Sequence, residues 1–186
     1  MAIYLGSEKI IFTEGSKVEV ESPYTKQIIE GTISGVYSNS RISKIESQVF
    51  MHCFSLTSVD FPSCTTIGAN AFYSCRGLTS ISFPSCTSIG VNAFAYCSNL
   101  TSISFPSCSY IGTSAFDRCY NLLSLYLLGS SIPTLANINA FVSTPISNYT
   151  TSTGGTYGSI YVLASLYNDY LIAENWSVYS ARIVSV

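Results

Sequence analysis

Cysteine stands at positions 53, 64, 75, 86, 97, 108 and 119, one every eleven residues without a slip. Spacing this regular declares an internal repeat and restricts the chain to architectures made by stacking one small unit. The true unit is twice as long. Cys64, Cys86 and Cys108 each follow Phe-Pro-Ser, whereas Cys75, Cys97 and Cys119 each close an Ala-Phe-x-x-Cys segment. The 22-residue unit reads LTSVDFPSCTTIGANAFYSCRG from Leu56, LTSISFPSCTSIGVNAFAYCSN from Leu78 and LTSISFPSCSYIGTSAFDRCYN from Leu100.

An eleven-residue period also suits a right-handed helical supercoil, but Pro62, Pro84 and Pro106 would break such a helix in every copy. Each unit instead splits in two. Leu78, Ile81 and Phe83 point one way while Ser80 and Ser82 point the other, the period-two sign of a strand with one buried face. Pro84 ends the strand, and Ile89-Gly90 offers a bend with no Cβ to obstruct it. Asn92 is then expected to cap a short helical turn that carries Ala93, Phe94 and Cys97 inward. One such coil buries too little apolar surface to offset the entropy of ordering its backbone. Coils must therefore share a core with their neighbours, and stability becomes a sum of nearest-neighbour terms.

The pattern L-x-x-I-x-F-P-x-C-x-x-I-G-x-x-A-F-x-x-C-x-x-L resembles the BspA-like leucine-rich repeats, found in bacterial surface proteins and some eukaryotic parasites. The likeness covers Leu56 to Asn121 in three clean copies. A divergent copy precedes them, with Ile45, Val49, Phe50, Cys53 and Leu56 matching Ile67, Ala71, Phe72, Cys75 and Leu78. A looser copy follows, in which Leu122, Leu125 and Leu127 keep the strand while Ala140-Phe141 recurs three residues late and both cysteines are missing. The fold expected is a β-rich solenoid of the leucine-rich repeat type with short helical turns.

Solenoids need caps, because their terminal coils otherwise expose apolar faces. Residues 1–33 are read as a β cap: Ile3 and Leu5, a Gly6-Ser7 turn, Ile10 and Phe12, then Val18 and Val20 alternate as short strands expected to pair in hairpins. Residues 34–147 form the solenoid of about five coils, and 148–186 a loop followed by a strand-helix cap. The polar stretch Ser147 to Gly158 reads as loop, Ile160-Tyr161-Val162 as a strand, and Leu166, Tyr170, Leu171, Trp176 and Tyr179 as a helix and its continuation. This tail is similar to a module that closes many repeat proteins of gut bacteria, although Leu163 stands where that module usually has Pro.

Composition excludes several roles. The chain is 10% charged with a net charge of −2, so it has no basic stripe with which to displace counterions from nucleic acid. No uninterrupted apolar run approaches the roughly 18 residues of a spanning helix, so no membrane insertion is expected. The first residues, MAIYLGSEKIIF, lack the basic start, apolar core and cleavage site of a secretory signal. The expected location is a bacterial surface or the medium if a signal has been removed, and otherwise a virion or the cytoplasm. The opening residues also resemble the start of some phage structural proteins, which implies a phage or prophage virion component as the alternative role.

Seven cysteines suggest disulfides or metal, but the number is odd, no Cys-x-x-Cys cluster occurs, and each thiol repeats an inward position. Packed free thiols are the preferred reading, since free Cys behaves as a small buried hydrophobe. His52 beside Cys53 invites a nucleophile-base pair, yet His52 matches Ser74, Tyr96 and Arg118 at an outward position while Cys53 matches inward thiols. Asp60, Asp117, Asp169 and Glu174 are scattered, without the paired partner acid-base work requires. Gly154-Gly155 is followed by no Lys-Ser or Lys-Thr of a phosphate loop. No catalytic residue, cofactor or metal is expected.

Sequons at Asn99, Asn148 and Asn175 are noted. The file Ser58, Ser80, Ser102 and Ser124 is read as the ordinary polar side of a half-buried strand. Variation between coils concentrates in the turns, where His52, Tyr73, Arg76, Tyr96, Asp117, Arg118 and Tyr120 are expected to face water along one edge. Tyr and Arg are enriched in binding hot spots, so Tyr73, Arg76, Tyr96, Asp117, Arg118 and Tyr120 are the candidate binding residues, with ordinary loop tips as the competing reading. Together with the family resemblance, this implies a noncatalytic recognition or adhesion scaffold that binds a protein or a glycan.

Overall fold

The computed structural model describes residues 2–5, 8–11, 35–38, 40–147 and 157–186, with backbone alone for 2–5, 8–11 and 37. Near the start, β1 (Ala2–Leu5) and β2 (Glu8–Ile11) form an antiparallel hairpin with Ile3 opposite Ile10. The expected strand residues Phe12, Val18 and Val20, and most of the Ser147–Gly158 loop, lie outside the described residues.

From Gly35 to Leu135 the chain is a stack of coils, each giving one strand to each of two parallel rows, and the C-terminal residues add two further strands to the first row. The first row holds β3 (Gly35–Ser38), β5 (Leu56–Asp60), β7 (Ser80–Ser82), β9 (Ser102–Ser104), β11 (Ser124–Leu127), β13 (Ser159–Val162) and β14 (Ile183–Ser185). Ladder bonds join β3-β5-β7 and β9-β11-β13-β14, while β7 and β9 adjoin without a ladder. The second row is an unbroken five-stranded parallel sheet of β4 (Lys44–Ile45), β6 (Thr66–Ile67), β8 (Ser88–Ile89), β10 (Tyr110–Ile111) and β12 (Thr134–Leu135). Register steps by one unit, pairing Ile45 with Ile67 and Ile67 with Ile89.

The expected helical turn does not form in the regular coils. Overlapping β-turns take its place, with bonds from Ala93 N to Gly90 O, Ala95 N to Asn92 O and Cys97 N to Phe94 O. Asn92 does not cap: it sits at φ 54°, as do its copies Asn70 (55°) and Ser114 (54°), the third position of a turn type that requires positive φ and favours Gly or Asn. The N–H groups left over point to the next coil, so that Asn92, Phe94 and Tyr96 donate to Thr113, Ala115 and Asp117 at 3.1, 2.8 and 2.8 Å. A helix would spend those donors on itself; the turn run spends them on stacking. Only the last coil winds a short 3-10 turn, Ile138–Phe141, and there Asn137 does cap it, accepting from Asn139 N at 2.9 Å.

Inside, identical residues stack on identical residues. Phe50, Phe72, Phe94, Phe116 and Phe141 form one column with ring centroids 4.9, 5.1, 5.4 and 5.4 Å apart and planes within 3°. Phe61, Phe83 and Phe105 form a second. The late coil stays in step by taking its extra residues in stages: Ser124 pairs 22 residues back with Ser102, Thr134 pairs 24 back with Tyr110, and Phe141 stacks 25 back on Phe116. Gly68, Gly90 and Gly112 form a file of close approach between coils, since a Cβ on Gly90 would lie 2.7 Å from the backbone of Gly68 and Ala69. None of the three has a positive φ, so glycine is needed for proximity rather than for its bend.

All seven cysteines are free and buried. Cys75, Cys97 and Cys119 donate across the stack to the carbonyls of Phe50, Phe72 and Phe94 at 2.9, 3.2 and 3.1 Å. Burial pushes the six thiols from Cys64 to Cys119 up, Cys86 to about 12 and Cys108 to about 11, so these stay protonated and unreactive.

The C-terminal cap begins with β13 and continues through α1 (Tyr167–Ile172) and a 3-10 turn, Ser177–Arg182, into β14. The helix is shorter than the Leu166–Tyr179 spacing suggested, and β14 was not legible at all. In regular coils the carbonyls of Ser109 and Ile111 accept N–H groups from the next coil at 2.9 Å. Their copies in the last coil, Pro133 and Leu135, accept instead from Trp176 Nε1 and Asn175 Nδ2, both at 2.7 Å. The Tyr179 hydroxyl donates to Ile138 O. Tyr179 also meets Phe141 edge-on at 5.5 Å and ends the aromatic column. Asn175 is thereby spent on structure, which removes it from the accessible sequons.

Candidate functional site

The turn edge is positioned by the hydrogen-bonded turns just described. His52, Ser74, Tyr96 and Arg118 occupy the same turn position with φ of 61°, 61°, 63° and 57°. A left-handed residue other than Gly costs about 1 to 2 kcal/mol, but every coil adopts it here whatever its side chain. The strain belongs to the frame and marks no single functional residue.

Side chains at that position and its neighbour join across coils. His52 meets Tyr73 edge-on at 5.7 Å, and Tyr73 lies 5.2 Å from Tyr96. The Arg118 guanidinium sits 4.8 Å over the Tyr96 ring and donates from Nη1 to its hydroxyl. Arg118 Nε approaches Asp117 Oδ2 at 3.8 Å. The result is a continuous file, His52–Tyr73–Tyr96–Arg118–Asp117, that crosses four coils. Arg76 flanks it, donating to the Ser74 hydroxyl at 3.3 Å and lying 5.9 Å over Phe54.

The edge is less exposed than its sequence suggests. Arg76, Arg118 and Tyr120 are exposed, but Tyr73, Tyr96, Asp117 and His52 are half-buried, and Ser74 retains only 3% of its surface. Half-burial comes from the contacts themselves, since each ring covers part of the next. Partial burial, followed by the contact with Tyr96, raises the Tyr73 phenol above its ordinary value. Burial likewise raises the Asp117 carboxyl, opposed by the Arg118 charge. Asp117 Oδ1 and His52 Nδ1 are buried without hydrogen-bond partners.

Tyr120 is exposed by 45% and makes none of the file's contacts. It lies one repeat beyond Ser98 in the parallel file Phe54, Arg76, Ser98, Tyr120. Phe54, exposed by 51% and packed against both His52 and Arg76, belongs to the edge and was missed. Its signal was present, because Phe54 precedes Arg76 by one 22-residue period. His52 and Cys53 diverge, the thiol being fully buried and the imidazole turned to Tyr73 and Phe54. Among the described residues, no group of three or more His, Cys, Asp or Glu could hold a metal ion, and no helix is long and apolar enough to cross a membrane.

The sequence model of the BspA type leucine rich repeat region matches residues 32–159 with six copies. That is well over half of the chain, and the protein belongs to this family. No curated protein matches it. Among solved structures, the chain is similar to a leucine rich cell surface protein from Faecalibacterium prausnitzii A2-165, at 20% identity and a TM-score of 0.41. That likeness covers 87% of this chain and 54% of the other, so the chain spans about half the length of the neighbour.

Proposed function

We propose that this protein is a noncatalytic recognition scaffold, of the kind deployed at cell surfaces, and that its turn edge engages a protein partner. The observation that supports this is the file His52–Tyr73–Tyr96–Arg118, in which aromatic rings and a guanidinium lying over one of them line up across coils. Such groups are ordered before a partner arrives, so little side-chain entropy is lost on binding. Tyr and Arg are also the residues on which interface energy concentrates. The coils keep one backbone frame and vary only the side chains it displays. That division suits recognition, because stacked repeats build an extended surface for a partner.

A partner captured from a cell-surface extract and identified by mass spectrometry supplies the test. Tyr96→Ala combined with Arg118→Ala should weaken its binding by at least about 2 kcal/mol, while Ser80→Ala combined with Ser102→Ala should leave it unchanged. Loss of binding in the serine variant with retention in the turn-edge variant would move the site to the strand face.

A further inference from the structure

The first strand row opens at one step, between β7 and β9, which no ladder joins. Phe61 N donates to Ser82 O and Phe105 N to Tyr126 O, both at 3.0 Å, but among the described residues Phe83 N makes no matching bond to Ser104 O. Thr79 N donates to Thr57 O and Leu123 N to Thr101 O, both at 2.9 Å, yet Thr101 N makes none to Thr79 O. Beneath this seam the rings of Phe83 and Phe105 stand 6.3 Å apart, against 5.5 Å for Phe61 and Phe83. Ile81 is only half-buried there, while its copies Val59, Ile103 and Leu125 are buried. The seam therefore leaves backbone donors and acceptors over on the exposed face, and such groups call for a polar partner.

Ser80 and Ser82 border the seam on one side, Ser102 and Ser104 on the other, and all four are exposed. Elsewhere in the coils hydroxyls are committed to stacking. Those of Thr65, Thr79, Thr87 and Ser109 donate to the carbonyl 22 residues back, and those of Ser85 and Ser107 to the carbonyls of Pro62 and Pro84. The four seam serines donate to nothing among the described residues. Tyr126 stands one coil beyond Ser104, its ladder partner. One face of its ring stacks on Tyr161 at 4.6 Å and 12°, so the other is turned toward Ser104 and the seam. At the opposite end Asp60 is the ladder partner of Ser82, and its carboxylate accepts from the Ser38 hydroxyl at 3.2 Å.

Each serine hydroxyl both donates and accepts, and the seam adds unpaired N–H and carbonyl groups between them. A ligand that covers this floor must be dense in groups that donate and accept in turn, because a polar group buried without a partner costs free energy. A protein partner would need sockets for apolar anchors, which a floor of small hydroxyls lacks. The open face of Tyr126 carries negative charge density that attracts the C–H groups on one side of a sugar ring. The outward side chains of β5, β7, β9 and β11 include no cation, and the Asp60 carboxylate opposes an anion. We propose that the seam is a second binding site, separate from the turn edge, for a neutral sugar. Its ring lies against Tyr126 and its hydroxyls meet Ser82, Ser104 and the open backbone groups.

An array of oligosaccharides tests this on the full chain, the neutral members built of glucose, galactose, mannose or N-acetylglucosamine and the acidic ones carrying galacturonic or sialic acid. At least one neutral member should bind, and calorimetric titration should find its acidic counterpart at least about tenfold weaker. Tyr126→Ala, and Ser82→Val combined with Ser104→Val, should each weaken the neutral sugar at least about tenfold. Tyr126→Phe keeps the ring face and should retain binding, and Tyr96→Ala with Arg118→Ala should leave it unchanged, which separates this site from the turn edge. Absence of binding to every neutral member at millimolar concentration overturns the proposal. So does equal binding of the acidic counterpart, or a loss confined to the turn-edge variant. If the Tyr126→Ala or serine variants unfold at lower temperature, amide chemical shifts in the unaltered protein decide: changes centred on Phe83, Ser104 and Tyr126 support the site, and changes centred elsewhere overturn it.

Discussion

The regular coils from Leu56 to Asn121 and the C-terminal cap from Ser159 onward meet the same demand by opposite means. In the coils, backbone N–H and carbonyl groups that face along the stack pair one period away, the step from β7 to β9 excepted, and each Phe finds another Phe. Translation does the work, and any coil serves as the next one's partner. At the last coil the translation stops, and Trp176, Asn175 and Tyr179 supply from side chains what the missing coil would have supplied from its backbone. The difference teaches that a repeat needs a short vocabulary used identically, whereas an end needs particular residues aimed at particular atoms. Buried carbonyls left bare would otherwise cost about 1 to 3 kcal/mol each.

Alkali should separate the two regions most. Six of the seven thiols lie in these coils, and burial raises all six, Cys86 from an ordinary value of 9.0 to about 12. A thiol kept neutral by burial favours the folded state fully below its unfolded pKa. That contribution is lost as pH climbs toward the folded value, because only the unfolded chain releases its proton in between. Stability should therefore fall steadily from about pH 9 to about 12. Thiolate absorbance reports on the coils, and Trp176, the only tryptophan, reports on the cap by its fluorescence. We expect the two signals to change together; a cap that melts first would show that its side-chain bonds are weaker than the translational ones.

Phe94→Ala removes the centre of the five-ring column and should cost about 3 to 5 kcal/mol in denaturant unfolding. A loss below about 1 kcal/mol would mean that the column contributes no more than surface contact does. Gly90→Ala forces a methyl into the backbone of the preceding coil and should cost about 1 to 3 kcal/mol, an effect with no counterpart in the cap. Trp176→Phe, in turn, strands the Pro133 carbonyl and should cost about 1 to 3 kcal/mol, with faster amide exchange confined to the last coil and the cap. Uniform exchange through the stack would show that the ends are not separately held.

Tyr96→Ala gives the smallest effect. An outward tyrosine with no special contact would lose at most about 0.5 kcal/mol. Contact with the Tyr73 ring and the Arg118 guanidinium raises the expected loss to about 0.5 to 1.5 kcal/mol, measurable beside Phe94→Ala only 2 residues away.

Most of the repeat was legible because its signals are local and copied. Inward Phe94 and Cys97, the strand at Ser80–Ser82 and the turn-edge alignment of Tyr96 with Arg118 all follow from period and alternation. What misled was the turn chemistry at Asn92, where a helix cap and a positive-φ turn residue share one preference for Asn. The choice between them rests on whether N–H groups bond within the coil or to the next one, and that depends on a neighbour the local segment does not contain. The half-burial of Tyr73 and Asp117 and the place of Phe54 beside Arg76 are likewise contacts between coils.

By itself, then, the amino-acid sequence determined the period, the stacking, the inward thiols and the absence of a basic stripe or an apolar span, because each follows from residue type and spacing alone. Tertiary structure decided the rest. It set the close glycine approach, the joining of His52 to Arg118 through two tyrosines, the late coil's staged return to register, the final strand Ile183–Ser185, and the meeting of Tyr126 with Tyr161. All of these depend on distances between segments separated by 21 residues or more, and such distances exist only once the coils have stacked.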